Sequence, residues 1–170
     1  MSQAMARWNR LVHEAAMHSI LPCCGAKAWA DAMAARRPFE NIAMLLAASQ
    51  QIWWNLEPVD WMEAFQNHPR IGEPRAAISA TAKSQEWSLD EQRNVAEGSE
   101  AIKLALAEGN YQYERQFGRI FIVCATGKSP REILEILRRR LTNDDVTELR
   151  AAAEEQQQIT QIRLRKWLKE

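Results

Sequence analysis

Residues 129–168, SPREILEILRRRLTNDDVTELRAAAEEQQQITQIRLRKWL, contain the two clearest helix starts in the chain. Ser129-Pro130-Arg131-Glu132 has the spacing of a capping box, with proline at the first helical position, where it is favoured. This signature predicts a helix that runs through Leu141. Asn143 or Asp144 then caps a second helix, which continues to the end of the stretch.

Upstream of this stretch, apolar residues recur at helical spacing along most of the chain. The predicted helices cover residues 4–17, 26–35, 39–56, 58–66, 89–107 and 110–117. The helix over 39–56 is apolar on nearly every side, which predicts a central buried helix. Residues 71–87 are predicted to form a loop long enough to suggest a function. We therefore expect one all-α domain over residues 1–170, a compact bundle of about seven to nine helices.

The composition narrows the function classes. Lysine plus arginine and aspartate plus glutamate each total 22, so the net charge is zero and provides no field that attracts nucleic acid or a membrane surface. No apolar run approaches the ~20 residues of a membrane span, and the N-terminus lacks a signal-peptide pattern. The three cysteines lack metal-site spacing and fit reduced, buried thiols. We expect a cytoplasmic protein without nucleic-acid or membrane partners.

His68 is one of only three histidines and lies in the stretch Asn67-His68-Pro69-Arg70-Ile71-Gly72-Glu73. Because a residue before proline is pushed out of the α region, we expect the preceding helix to stop at His68. Helix C-termini favour a protonated imidazole, and such a histidine can donate a proton near neutral pH. In the alternative, structural interpretation, the histidine merely complements the helix dipole.

Residues 120–125, Ile-Phe-Ile-Val-Cys-Ala, form a continuous apolar run, which is typical of a buried strand. The sequence offers no second strand to pair with it, and unpaired buried backbone groups cost roughly 1–3 kcal/mol each. The segment is therefore either the start of a buried helix or an extended stretch whose polar groups meet side chains, water or a ligand. The extended form would suit a flat heterocycle rich in amide groups.

Ser88-Leu89-Asp90-Glu91-Gln92 is a second polar cluster. Ser88 and Glu91 have the Ser-x-x-Glu spacing of a capping box, which would start a helix here and explain the serine structurally. The functional interpretation places Glu91 and Gln92 at that helix N-terminus, where backbone donors attract an anionic ligand. A carboxylate there can also orient His68.

The arginines of Arg138-Arg139-Arg140 and Arg163-Leu164-Arg165 belong mostly on solvated helix faces. One inward-facing arginine can hold a carboxylate with two hydrogen bonds. Arg163 is the preferred candidate because apolar residues flank it, and Arg140 and Arg165 are its rivals. No metal-ligand pair, phosphate loop, dinucleotide fingerprint or serine-nucleophile motif occurs, so cofactor-free acid–base chemistry is the enzyme hypothesis that the residues support.

Six blocks of sequence occur in a characteristic order. They are Cys23-Cys24-Gly25…Trp29-Ala30, Arg37-Pro38-Phe39, His68-Pro69-Arg70-Ile71-Gly72, Ser88-x-x-Glu91-Gln92, the run from Phe117 to Ser129, and Arg140-Leu141-x-Asn143. Together they resemble the OHCU decarboxylase family, whose members act on 2-oxo-4-hydroxy-4-carboxy-5-ureidoimidazoline in urate degradation. The resemblance covers residues 21–168.

The resemblance implies an all-α homodimer that needs no metal or organic cofactor. It implies loss of CO2 and delivery of a proton to one face, giving (S)-allantoin. His68 is then the proton donor, Glu91 acts with it on the hydroxyl and the departing carboxylate, and Arg163 grips polar groups of the substrate. The implied substrate-binding residues are Pro69, Ser88, Leu89, Asp90, Glu91, Gln92, Phe121, Ile122, Val123, Cys124 and Ala125. Glu91 is placed by its Ser-x-x-Glu-Gln context, and Glu86 is a nearby carboxylate that can be mistaken for it.

Two alternatives belong to other classes. A non-catalytic helical interaction module would bind a partner helix through a tryptophan-rich surface of Trp53, Trp54 and Trp61. A nucleic-acid binder would use the C-terminal arginines, although the balanced charge provides no basic footprint. Neither alternative explains the ordered blocks.

Overall fold

The computed structural model describes residues 2–73 and 80–170, and these residues form ten α-helices, one 3₁₀ turn and no strand. The elements are α1 (Gln3–Trp8), α2 (His13–Ile20), the 3₁₀ turn (Leu21–Cys23), α3 (Lys27–Ala35), α4 (Ile42–Trp54), α5 (Pro58–Phe65), α6 (Ala82–Glu91), α7 (Arg93–Ala96), α8 (Glu100–Phe117), α9 (Pro130–Arg140) and α10 (Asp145–Trp167). The all-α prediction is confirmed. Helices outnumber the expected seven to nine because turns interrupt stretches predicted as continuous.

The chain divides into two compact units, Met1–Ala64 with Gln157–Glu170, and Phe65–Gln156. Tryptophans dominate the core of the first unit, where Trp53 is buried and packs on Trp61 with ring centroids 5.9 Å apart. The indole N–H of Trp61 donates to the carbonyl oxygen of Trp53 at 3.0 Å, and Trp54 meets the Trp61 ring edge-on. Of the three tryptophans expected to form the surface of an interaction module, Trp53 is buried, whereas Trp54 and Trp61 are half-buried.

The predicted helix over residues 4–17 is wrong, since a turn after Trp8 separates α1 from α2. Arg37 donates from Nη1 to the carbonyl oxygens of Trp8 and Leu11, at 2.7 Å each. Asn9 exchanges two hydrogen bonds with the backbone of Phe39, at 2.9 and 3.1 Å. These partners come from a later part of the chain, so the local apolar periodicity does not reveal the break.

Helix α4 begins after Asn41, whose Oδ1 accepts a hydrogen bond from the backbone N–H of Met44 at 2.9 Å. The expectation that this helix is buried on every side is wrong, because Ile42 and Met44 are 38% and 47% exposed. A small unit has room to bury only one helix face, and apolar residues on the other face remain in solvent.

Helix α8 runs unbroken through Gly109, so the separate helices predicted over 89–107 and 110–117 are wrong. A Cβ atom on Gly109 would lie 2.5 Å from Cδ2 of the buried Leu137 in α9. Glycine is present here because α9 approaches α8 closely, and it does not end the helix. Ser99 starts α8, since its side chain accepts a hydrogen bond from the N–H of Ile102 at 3.4 Å.

Helix α6 begins after Thr81, whose Oγ1 accepts a hydrogen bond from the N–H of Ser84 at 3.1 Å. The loop predicted over 71–87 is therefore wrong in its second half, and residues 74–79 lie outside the described residues. The helix start predicted at Ser88 is also wrong, because Ser88 is a buried residue inside α6. Its spacing from Glu91 puts two residues on one helix face as readily as it makes a cap.

Both helix starts near the C-terminus are confirmed. The N–H of Glu132 donates to Ser129 Oγ at 3.3 Å, and the N–H of Ser129 donates to Glu132 Oε2 at 2.7 Å, which completes the capping box of α9. For α10 the cap is Asp144, whose Oδ1 accepts from the N–H of Thr147 at 2.9 Å. Among the described residues, no helix has the length and apolar character needed to cross a bilayer.

Replacing Ser129 with alanine is expected to lower the free energy of unfolding by about 1 kcal/mol, because the capping box loses one of its two hydrogen bonds. Urea denaturation followed by circular dichroism measures the change. Ser19→Ala is the control, because Ser19 lies near the C-terminal end of α2 and not at a helix start. Equal midpoints for the two variants would contradict the capping role.

Candidate functional site

His68 lies in the turn that follows α5, which we call the His68 turn (residues 67–72). The helix ends at Phe65, and the backbone N–H of His68 donates to the Phe65 carbonyl at 3.1 Å. The chain thus leaves the helix three residues before the predicted stop at His68. The imidazole belongs to a buried residue, only 9% exposed. A buried histidine at a helix end is a suitable group for proton transfer.

Helix α8 holds the His68 turn at two adjacent residues. Arg70 forms a two-point ion pair with Glu114, with Nε–Oε1 and Nη2–Oε2 distances of 2.5 and 2.9 Å. The hydrogen bond to Glu114 and the negative charge of Glu114 raise the pKa of Arg70 above its usual value. Asn110 donates from Nδ2 to the carbonyl oxygen of Ile71 at 2.9 Å, in a buried position.

Gln92 connects the end of α6 to the same turn. Its Oε1 accepts a hydrogen bond from the N–H of Gly72 at 3.0 Å, and Gly72 has φ +81°, a conformation that favours glycine. Glu91 is the last residue of α6, so the helix N-terminus predicted at Glu91 is wrong, whereas Gln92 directly precedes the first residue of the short helix α7. Of the other predicted residues, Leu89 is exposed and Asp90 pairs with Arg93 at 2.5 Å.

Residues 120–125, the extended segment of the remaining interpretation, belong to no helix and precede α9 by several residues, so the helical alternative is excluded. Their polar groups meet side chains, as one of the two interpretations required. The bonds are Arg140 Nη1 to the Ile122 carbonyl at 2.5 Å, the Cys124 N–H to Glu155 Oε2 at 2.7 Å, and Lys128 Nζ to the Cys124 carbonyl at 2.6 Å. Lys128 and Glu155 are not predictable as partners of this segment, because no local pattern distinguishes either residue from a surface charge.

The backbone groups of Val123 lie between the bonded groups of Ile122 and Cys124 along the chain. In an extended chain, the N–H and C=O of one residue point to one edge and those of its neighbours to the other. Val123 is only 6% exposed, yet its N–H and C=O form no hydrogen bond with any of residues 2–73 and 80–170. Buried backbone groups are normally paired, so this edge is suited to hydrogen bonding with a ligand or water.

The His68 turn connects the end of α6 with the extended segment. Gln92, directly after α6, accepts a hydrogen bond from Gly72 of the turn, and Ile71 of the turn belongs to the same hydrophobic core as Phe121, Val123 and Ala125. Within the segment, burial raises the pKa of the Cys124 thiol, the Lys128 ammonium lowers it, and the carboxylates of Glu155 and Glu91 raise it.

Arg140 is a structural residue of the second unit. Its Nε donates to Oε1 of the buried Glu148 at 2.8 Å, its Nη2 contacts the same oxygen, and Tyr113 OH also donates there. Burial, opposed in part by the Arg140 charge, raises the pKa of Tyr113 well above its usual range. Asn143 Nδ2 donates to the second carboxylate oxygen of Glu148 at 2.9 Å. These bonds hold the Arg140 guanidinium in the position from which it donates to the Ile122 carbonyl.

Arg163 belongs to the first unit, where it is almost fully buried, whereas Arg165 is exposed. The Nη1 atom of Arg163 lies 3.5 Å from the carbonyl oxygen of Pro22. Burial raises the pKa of the Cys23 and Cys24 thiols, that of Cys24 to about 12, and the Arg163 charge opposes this rise.

All three cysteines of the chain are buried and outside disulfides, as the sequence predicts. Among the described residues, no group of three His, Cys, Asp or Glu side chains could hold a metal ion.

The fold and this arrangement define an all-α protein with a buried histidine, a carboxylate and an extended backbone edge drawn from three segments. The family model for OHCU decarboxylase matches residues 9–165. The chain therefore belongs to the OHCU decarboxylase family, and the sequence resemblance is confirmed.

Two curated relatives support this assignment. A protein of Arabidopsis thaliana named "Uric acid degradation bifunctional protein TTL" is 37% identical over 147 residues, which is 85% of this chain and 44% of that protein. A "Uric acid degradation bifunctional protein" of Bacillus sp. (strain TB-90) is 28% identical over 134 residues, 79% of this chain and 26% of that protein. The chain thus spans less than half the length of these relatives.

Two solved structures are similar. A crystal structure of OHCU decarboxylase in the presence of (S)-allantoin superposes with a TM-score of 0.76 and 32% identity, covering 88% of this chain and 96% of that one. A crystal structure of (S)-allantoin synthase gives a TM-score of 0.70 at 18% identity, covering 96% of this chain and 53% of that one. The second likeness concerns the fold alone.

Proposed function

We propose that this protein decarboxylates 2-oxo-4-hydroxy-4-carboxy-5-ureidoimidazoline without a cofactor and protonates the product on one face to give (S)-allantoin. This reaction is the last step in the conversion of urate to allantoin. The observation that carries the proposal is the meeting, in the second unit, of three segments. The Gly72–Gln92 hydrogen bond joins the His68 turn to the end of α6, where Glu91 lies, and Ile71 of the same turn shares a hydrophobic core with Phe121, Val123 and Ala125. The identity of the substrate is inferred from membership of the family.

The proposed reaction breaks one carbon–carbon bond and forms one carbon–hydrogen bond. CO2 departs from the ring carbon that carries the hydroxyl, and the bonding electron pair forms a double bond to the ureido-bearing carbon, while the electrons of that carbon's C=N bond move to the ring nitrogen, which takes up a proton. His68 then delivers a proton to the ureido-bearing carbon, and the hydroxyl loses its proton to become the ring carbonyl of allantoin. Glu91 acts on the neighbouring hydroxyl and lies near the departing carboxylate. Its charge disfavours the anionic ground state more than the transition state, in which the carboxylate is becoming neutral CO2, and this difference accelerates the reaction.

The remaining residues bind the substrate. In our proposal, the backbone edge at Val123 recognises the amide groups of the ring and the ureido arm, because its N–H and C=O offer one donor and one acceptor. The other residues in this role are Pro69, Ser88, Leu89, Asp90, Gln92, Phe121, Ile122, Cys124 and Ala125. Arg163 grips the polar groups of the substrate, as the family resemblance implies.

We also propose that residues 1–170 act as one domain, that the protein is a homodimer and that it functions in the cytoplasm. The family resemblance supports the first two proposals. The buried, reduced cysteines support the third, because reduced thiols are typical of that compartment. Light scattering during size-exclusion chromatography tests the dimer, and a mass equal to one chain would contradict it.

The activity is tested by following loss of ureidoimidazoline, generated fresh from urate, with and without the purified protein. We expect the protein to accelerate substrate loss in proportion to its concentration. CO2 released in the same samples should match the substrate consumed. Equal rates with and without protein would contradict the proposed function.

Replacing Glu91 with glutamine is expected to preserve the fold and lower kcat by about 100-fold or more, because the amide keeps the shape and loses the charge. Glu86→Gln is the matched control, since Glu86 lies on the same helix and is exposed. Steady-state kinetics on both variants, with circular dichroism to confirm folding, make the comparison. A near-normal rate for Glu91→Gln would remove Glu91 from the mechanism.

A further inference from the structure

Asn110 occupies an unfavourable position for an asparagine. It lies in the interior of α8, directly after Gly109, and it is buried, only 3% exposed. Asparagine is a poor residue for a helix interior because its side chain competes for backbone hydrogen bonds, and burying its amide requires partners. The adjacent glycine is explained by the close approach of Leu137. The presence of asparagine at position 110 is therefore explained only by a contact outside α8.

The partner of Asn110 supplies that contact. Its Nδ2 donates to the carbonyl oxygen of Ile71 at 2.9 Å, across a sequence separation of 39 residues. Ile71 is three residues beyond His68, and the intervening Pro69 restricts the backbone between them. A displacement of the Ile71 carbonyl is therefore transmitted to the position of the imidazole.

Two other side-chain contacts of the His68 turn are more exposed. The ion pair between Arg70 and Glu114 has side chains that are 46% and 27% exposed, and the Gly72–Gln92 bond is also exposed. Exposed pairs contribute little because water and salt compete for them. The Asn110–Ile71 bond is buried, so it restrains the turn more strongly than these two exposed contacts do.

We propose that Asn110 is a positioning residue for His68, which holds the imidazole in place for proton delivery through the Ile71 carbonyl. This inference rests on the proposed function. In this role Asn110 acts through the His68 turn and not on the substrate itself. Its loss should lower the rate of the chemical step and the facial selectivity of protonation, with little effect on substrate binding.

The test uses two variants, Asn110→Leu and Asn110→Asp, with Gln116→Ala as the matched control. Leucine removes the donor, and aspartate keeps the shape but replaces the donor with an acceptor. Gln116 lies on the same helix and donates from Nε2 to the carbonyl of Leu141 at 3.0 Å, away from the His68 turn. The control thus loses the same kind of bond from the same helix.

We expect both Asn110 variants to show kcat lowered by about 10–100-fold at an unchanged KM, because small displacements of a catalytic group cost this much. The enantiomeric excess of the allantoin should also fall, after subtraction of uncatalysed product. A role in folding alone would reduce the amount of active protein without changing the enantiomer ratio. Gln116→Ala should match the wild type in all three quantities.

Glu114→Gln keeps the test valid if both Asn110 variants fail to fold, since it alters only the partly exposed ion pair. It should lower kcat and enantiomeric excess in the same direction by a smaller factor. Values equal to those of Gln116→Ala in every folded variant would overturn the inference alone. A wild-type protein that does not accelerate decarboxylation would overturn the proposed function, and the inference with it, before any variant is compared.

Discussion

Replacing His68 with asparagine is expected to lower kcat by about 10²–10⁴-fold, the usual contribution of a general acid. Asparagine retains a hydrogen-bond donor of similar reach but has no titratable proton to transfer. The allantoin formed should be nearly racemic, because protonation then comes from water on either face. Stopped-time product analysis on a chiral column measures the rate and the enantiomer ratio together.

His18→Asn provides the control for this substitution, since His18 is an exposed histidine of α2 in the first unit. It should leave the rate and the product enantiomer unchanged. If His68→Asn retained both the rate and the enantiomeric excess of the wild type, His68 would not be the donor. The family assignment would stand, and another proton source would have to be found.

Replacing Glu148 with alanine is expected to lower the free energy of unfolding by about 3–5 kcal/mol, because it leaves the guanidinium of Arg140 buried without its carboxylate. Glu148 is fully buried and accepts hydrogen bonds from Arg140, Tyr113 and Asn143. The midpoint of thermal unfolding should fall on the order of 10 °C. Differential scanning calorimetry makes this measurement directly.

Glu154→Ala is the comparison, because Glu154 lies on the same helix and forms an exposed pair with Arg150 at 3.4 Å. Such pairs contribute about 0–1 kcal/mol, so its unfolding should be close to that of the wild type. Replacing both Arg140 and Glu148 with methionine should cost less than Glu148→Ala, since no buried charge remains. If Glu148→Ala and Glu154→Ala unfolded at the same temperature, the buried network would not stabilise the fold.

Much of the fold is predictable from local sequence where a cap is explicit. The capping box at Ser129 begins α9 as expected, and Asp144 begins α10. Failures occur where distant partners decide the outcome. The break after Trp8 depends on Arg37, and the continuity of α8 depends on Leu137 packing against Gly109. Neither contact leaves a periodic signal in the chain.

The candidate site was predictable in part. The ordered blocks led to the family and to His68, Glu91 and the extended segment, and the unpaired apolar run 120–125 pointed to side-chain partners that the structure contains. The position of Glu91 at the end of a helix was not predicted, because a Ser-x-x-Glu spacing occurs both at helix starts and within helices. Asn110 carries no motif and is found only through its contact with Ile71.

The most direct test of this account is the enantiomer of allantoin that the wild-type protein forms. Circular dichroism follows fresh ureidoimidazoline with and without protein, since unaided decay gives racemic allantoin and no final signal. The account predicts rapid growth of the (S)-allantoin signal in proportion to protein concentration. Racemic product at the uncatalysed rate would contradict it.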